Sequence, residues 1–154
     1  MMLLPFTDDL VVTWACDPEM AQLADRHYSR RTPGKLEFIG PGKKLAIRNS
    51  EGSICFAWLY GDPAYRLDGQ QGYNCTIFRN ESGRRSSEII LECERIVFDR
   101  WGPNRVFTYV DPRKIQSRNP GYCFKCAGWK SVRRPDGSLH RSQRGYLLLA
   151  KHPL

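Results

Sequence analysis

Apolar and polar positions alternate in distinct blocks along this chain. Leu10 to Trp14 is a β-rich run that predicts a first strand. Asp17-Pro18 then has the form of a helix start, with Asp17 as N-cap and Pro18 at the first helical position. Met20, Leu23 and Ala24 supply that helix's apolar stripe, and it closes near His27. Lys44 to Arg48 and Ile54 to Tyr60 read as two strands joined by the turn Asn49-Ser50-Glu51-Gly52. Tyr73 to Phe78 reads as the next strand. The strongest helix is Ser86 to Trp101, where Ile89, Ile90, Cys93, Ile96, Val97 and Trp101 share one face and Gly102-Pro103 ends it. Val106 to Val110 has the length of a buried strand, and Pro120 to Ala127 predicts a short helix stopped by Gly128. Trp129 to Arg133 and Arg144 to Lys151 are the last strands, linked by a turn at Arg134-Pro-Asp-Gly-Ser138.

The predicted order is β-α-β-β-β-α-β-α-β-β. It implies an α/β (α+β) domain, a mixed sheet of about seven strands with helices packed on it. A length of 154 residues suits a single domain spanning 1–154. No repeat or low-complexity tract divides it. The segments Arg30 to Gly42 and Gly61 to Gly72 read as loops.

Charge and cysteine usage narrow the setting. A net charge of +8 points to a polyanionic partner, either nucleic acid or a phosphate-rich cofactor, although a basic protein without such a partner fits the same number. Several of the six cysteines fall in apolar patterns, where a thiol acts as a small hydrophobe. Met-Met-Leu-Leu-Pro-Phe is too short and lacks the basic start of a secretory signal. No apolar run reaches the roughly 20 residues of a membrane span. A reducing, cytoplasmic location is the expectation.

Five places carry candidate chemistry. The turn from Arg79 to Ser87 leads a strand into the long helix, where unsatisfied N–H groups and the helix dipole attract phosphate. Arg79, Arg84 and Arg85 add positive charge there, Gly83 is its glycine, and Ser86 or Ser87 is expected to cap the helix or bind a ligand. A solvated arginine turn is the plainer reading. Asp111, in Thr108-Tyr109-Val110-Asp111-Pro112, ends a central strand where open α/β sheets bind ligands; it also fits a simple turn aspartate. Tyr122 opens the short helix. A phenol with an ordinary pKa of about 10 suits a general acid, and a half-buried packing role is the alternative. His27-Tyr28 follows the first helix, placed to act as base, metal ligand or plain surface pair. Cys123-Phe-Lys-Cys126 lacks the partner pair a zinc site needs.

These pieces, taken in order over roughly residues 23 to 133, make the chain similar to the Mom-type bacteriophage DNA-modification proteins, a branch of the GNAT acyltransferase superfamily. The resemblance rests on His27-Tyr28-Ser29, Asn74, the Arg/Asn/Ser-rich turn to Ser86-Ser87, Asp111, and Tyr122 followed by Ala127-Gly128 and an aromatic. It implies a GNAT-like fold with an acyl donor such as acetyl-CoA held by Arg79, Gly83, Arg84, Arg85 and Ser86. It further implies an active constellation of Asp111, Tyr122, His27, Tyr28 and Ser87, with iron proposed at His27, Tyr28 and Asp111. The family's reaction converts adenine in phage DNA to an N6-modified form that protects against host restriction. The partner would then be double-stranded DNA, gripped by Arg30, Arg31, Arg113, Lys114, Arg118, Arg133 and Arg134, with no membrane and with a homodimer left open. The chain departs from the family in having Cys75 after the strand asparagine, where an arginine is usual, and its phosphate turn has one glycine.

Three functions compete on this basis. The first is a Mom-like DNA adenine-modifying transferase. The second is a conventional GNAT N-acetyltransferase acting on a small or protein amine. The third is a non-catalytic GNAT-like nucleic-acid-binding module.

Overall fold

The structure is a computed structural model that describes residues 10–27, 34, 39–61, 69–114 and 119–153. Its elements follow the predicted order: β1 (Leu10–Thr13), α1 (Pro18–Ala24), β2 (Lys43–Asn49), β3 (Ile54–Tyr60), β4 (Tyr73–Asn80), α2 (Ser86–Trp101), β5 (Val106–Val110), α3 (Tyr122–Cys126), β6 (Lys130–Ser131) and β7 (Leu147–Lys151). They build one seven-stranded sheet in the order β1-β2-β3-β4-β5-β7-β6. Neighbours are antiparallel except β4 and β5. That parallel pair is the crossover which α2 spans.

The sheet buries both faces. On one, α2 and α3 cover Ile47, Phe56, Trp58 and Cys75 with Ile89, Ile90, Cys93, Val97 and Phe124. Trp58 and Trp129 stack there, with ring centroids 6.2 Å apart. Trp58 Nε1 donates to the Cys93 carbonyl at 3.1 Å, and Trp129 Nε1 to Glu94 Oε2 at 3.1 Å. Glu94 is buried, and Lys151 Nζ lies 2.9 Å from its other oxygen. A paired and hydrogen-bonded carboxylate can stand in such a core where a lone one cannot. On the opposite face α1 packs Met20, Leu23 and Ala24 against Ala46, Cys55, Ala57 and Ile77.

Local chemistry explains most boundaries. Asp17 caps α1 as expected, accepting from the Glu19 amide at 3.0 Å. α2 differs. Its N-cap position is Arg85, and neither Ser86 nor Ser87 caps it; no side chain does. Asn80, at the end of β4, takes over part of that task. Its amide donates to the Arg84 carbonyl at 2.8 Å and to Ser86 Oγ at 2.9 Å. Among the described residues no helix is long and apolar enough to cross a membrane.

Candidate functional site

The site begins with an irregularity in β4. Ala57 pairs with Ile77, but the next residue, Trp58, pairs with Cys75. Thr76 is therefore an extra residue, a β-bulge. The bulge resets the strand's alternation, so Cys75 and Phe78 meet the α2 side while Ile77 meets the α1 side. A bulge also bends its strand and ends pairing. The parallel ladder to β5 stops there, after Tyr73↔Val106, Asn74↔Phe107 and Cys75↔Thr108. Thr108 Oγ1 closes the end of that ladder by donating to the Cys75 carbonyl at 2.8 Å.

Beyond this point the two strands part, and the gap becomes a cavity of about 380 Å³. Its walls include Thr76, Ile77 and Phe78 from β4, Tyr109 and Val110 from β5, Tyr122 and Cys123 from α3, and His27 beyond α1. Since α1 and α3 lie on opposite faces of the sheet, the cavity draws its lining from both.

Gly121 sets the position of α3. Its φ is 77°, and a Cβ there would stand 2.3 Å from Leu149 Cδ1. Only glycine accepts both the conformation and the space. The next residue, Tyr122, is 61% exposed at the cavity edge. Hydrogen bonding with Cys126, followed by that thiol's charge and by burial, raises its pKa above the ordinary tyrosine value. The phenol therefore keeps its proton at neutral pH.

His27 is mostly buried. Desolvation first, and then the positive charge of Arg79, lower its pKa to about 4. Its imidazole is neutral above that. The cavity thiol Cys75 is also uncharged, since burial pushes its pKa well above the usual range.

Asp111 directly follows β5 and is not among the residues that line the cavity. Its carboxylate accepts from the Arg113 amide at 3.0 Å and from Arg113 Nε at 3.1 Å. Burial disfavours its charge, yet the hydrogen bonds from Arg113 outweigh that and hold its pKa below the usual aspartate range. The two expected iron ligands that are described stand in different surroundings. His27 lines the cavity, Asp111 does not, and Tyr28 lies outside the described residues. Among the described residues no group of three or more His, Cys, Asp or Glu is placed to hold a metal.

The turn before α2 is organised from within. Asn80 Oδ1 accepts from the Ser82 amide at 2.9 Å, and the Arg84 amide donates to Ser82 Oγ at 3.1 Å. Among the described residues the amides of Gly83, Arg85, Ser86 and Ser87 have no hydrogen-bond partner. They are donors at a helix N-terminus and fit a phosphate group. Arg85 is exposed beside them. Two of the expected phosphate ligands are engaged elsewhere: Arg84 Nη2 lies 2.9 Å from Glu92 Oε2, and Arg79 Nε 2.9 Å from Glu81 Oε2. Gly83 lies outside the left-handed region, and a Cβ there would meet no protein atom within 4 Å. The protein itself does not require glycine at that position. Ser87 stands in the first turn of α2 and does not line the cavity.

The expected DNA-contacting residues separate into two sets. Arg30, Arg31 and Arg118 lie outside the described residues. Of the rest, Arg113 and Lys114 follow β5, and Arg133 and Arg134 stand in the hairpin between β6 and β7. Arg113 Nη2 donates to the Arg144 carbonyl at 2.8 Å, Arg133 Nη1 to Gly137 at 2.8 Å and Arg134 Nη2 to Arg141 at 3.4 Å. Backbone carbonyls accept from the guanidinium groups of Arg133 and Arg134, Arg113 also binds the Asp111 carboxylate, and Lys114 is exposed in the turn after β5. Arg141, from the Arg141-Arg144 pair that also reads as a phosphate contact, belongs to the same hairpin, where its Nη1 donates to Gly145 at 3.3 Å. Sequence reasoning missed Thr76, because a bulge leaves no mark on composition or period.

The crystal structure of "a putative phosphinothricin N-acetyltransferase" matches 94% of this chain and 99% of its own, with a TM-score of 0.54 at 15% identity. The fold is GNAT-like. At that identity the likeness reaches no further than the fold. No protein-family model matches the chain, and no curated protein does. Nothing in these comparisons favours the Mom-type branch over other GNAT-fold proteins.

Proposed function

We propose that this protein is an acyl-CoA-dependent N-acyltransferase. One observation carries the reading: β4 and β5 part at Thr76 and leave an open cavity between them, with Tyr122 at one edge and His27 at another. The parted strands offer backbone groups to a slender amide-bearing chain, as an exposed sheet edge does to a peptide. The pantetheine arm of an acyl-CoA is such a chain. Its pyrophosphate would meet the unpaired amides at the start of α2 and the Arg85 guanidinium. The donor supplies an activated thioester. The protein contributes positioning, dry walls and a proton: Tyr122 is protonated at neutral pH and exposed enough to exchange with water, which suits protonation of a leaving thiolate. Neutral His27 suits orienting an incoming N–H group. Asp111 holds Arg113 in place.

Acetyl-CoA should raise the melting temperature of the wild-type protein, and replacing Arg84 and Arg85 by alanine should abolish that rise. Thiol release should depend on an added amine. A protein that shows neither stabilisation nor amine-dependent thiol release is not an acyltransferase of this kind.

A second reading places the acceptor amine on adenine in double-stranded DNA, as in the Mom-type family. It is favoured by the hairpin arginines Arg133, Arg134 and Arg141, whose guanidinium groups are held by the backbone carbonyls of Gly137, Arg141 and Gly145. Such a site would draw the base out of the duplex. Mass spectrometry of nucleosides from cells expressing the protein tests it. A shifted deoxyadenosine supports the reading, and an unchanged profile with soluble, acetyl-CoA-binding protein sinks it. DNA binding without acetyl-CoA binding would instead identify a non-catalytic nucleic-acid module.

A further inference from the structure

Arg79 follows Ile77 on the α1 face of β4. It pairs in register with Cys55, which α1 covers. Ile77 lines the cavity, and two residues of strand advance roughly 6–7 Å, so Arg79 stands beside the cavity on that face. His27, another lining residue, is close enough for the Arg79 charge to help lower its pKa. The Arg79 side chain is held but not used up. Its Nε donates to Glu81 Oε2 at 2.9 Å. Arg26, the residue before His27, donates to the same carboxylate through Nε at 2.8 Å and Nη2 at 3.0 Å. Two guanidinium groups thus share one carboxylate. Among the described residues Nη1 and Nη2 of Arg79 have no hydrogen-bond partner, and the side chain is 39% exposed. Such a planar fork matches the two oxygens of a carboxylate. The helix α2, whose first amides suit the donor's pyrophosphate, packs on the other face of the sheet.

We propose that Arg79 binds a carboxylate of the acceptor, so that the amine acylated by this protein belongs to a small molecule of amino-acid type. This rests on the acyltransferase reading above. Glu81, itself gripped by Arg26, fixes the Arg79 guanidinium through Nε and leaves Nη1 and Nη2 for the ligand. The acceptor's carboxylate is held beside the cavity while its amine enters next to His27. The contact is remote from the reacting bonds and is the same before and during transfer. It therefore acts on acceptor binding more than on turnover.

The test measures thiol release from acetyl-CoA with the common L-amino acids, each as the free acid and as its carboxamide. Hydroxylamine serves as an acceptor without a carboxylate, and every rate is corrected for the uncatalysed reaction. Wild type should use at least one free acid with a KM about 10-fold to 100-fold below that of its carboxamide, the usual worth of a hydrogen bond to a charged group. Arg79→Gln should raise KM for that acid by a similar factor with kcat little changed, and should treat acid and carboxamide alike. It should bind acetyl-CoA as wild type does. Arg79→Lys, which keeps the charge without the fork, should recover part of the preference. The comparison of acid with carboxamide in wild type needs no variant, so it decides even if Arg79→Gln does not fold. A wild type that acylates hydroxylamine but no free acid, or that does not distinguish acid from carboxamide, overturns the proposal and leaves the acyltransferase reading standing. So does an Arg79→Gln protein that keeps the preference, or one whose only defect is weaker acetyl-CoA binding, because Arg79 then serves the donor. A wild type that releases thiol with no acceptor at all ends the acyltransferase reading and this assignment together.

Discussion

The side-chain amide of Asn80 donates to Ser86 Oγ at 2.9 Å and so joins the last residue of β4 to the first of α2. The same residue holds the Arg84 carbonyl and the Ser82 amide. It organises the turn that a serine cap was expected to organise. Asn80→Ala should lower stability by about 1–2 kcal/mol, the sum of a few modest hydrogen bonds. It should also weaken acetyl-CoA binding, because the free amides of the turn lose their frame. Calorimetric unfolding and a binding titration check the two effects.

Gly121→Ala should be more damaging than an ordinary surface substitution. The added methyl would meet Leu149 Cδ1 at 2.3 Å, at a φ of 77°. A loss of about 1–3 kcal/mol follows from strain and overpacking together. Because Tyr122 is the next residue, kcat should fall along with stability. Denaturant unfolding and thiol-release kinetics on the same preparation measure both.

His27 makes stability depend on acid. Its folded pKa, about 4, lies below its unfolded value near 6.5. Between those values the unfolded chain binds more protons, so stability rises with pH across that window and is lost as pH falls through it. His27→Gln should flatten the melting temperature against pH between about 4 and 6.5. A slope equal to that of wild type would refute the assignment.

Cysteine reactivity should follow burial. Cys126 is exposed, whereas Cys55, Cys75 and Cys93 are buried. Burial pushes the Cys55 thiol up to about 12. Alkylation of the native protein should label Cys126 well before Cys55, Cys75 or Cys93, since the thiolate is the reactive form. Peptide mass spectrometry over a time course reads the order.

The elements were legible because their signals are local. The stripe from Ile89 to Trp101, the Asp17-Pro18 start and the apolar run Val106 to Val110 each announce themselves within a few residues. β6 is only Lys130–Ser131, since beyond Val132, which still donates to the Leu148 carbonyl, Arg133 pairs with Leu139 within the arginine hairpin. The site was less legible. The side chain replacing the serine cap arrives from another element, and Asp111 binds Arg113, a preference that spacing does not encode. Thr76 matters because of a mismatch between β3 and β4, which neither strand shows by itself.

The parting of β4 from β5 also gives the sheet a seam. β1 to β4 are zipped together by long antiparallel ladders, and β5 to β7 form a second antiparallel block. Among the described residues the strands of the two blocks pair along the short parallel stretch from Tyr73 to Cys75, reinforced by α2 and α3 across it. Under load, or early in unfolding, the molecule should open along that line like a book along its spine, and a molecule bound in the gap would act as the stitching.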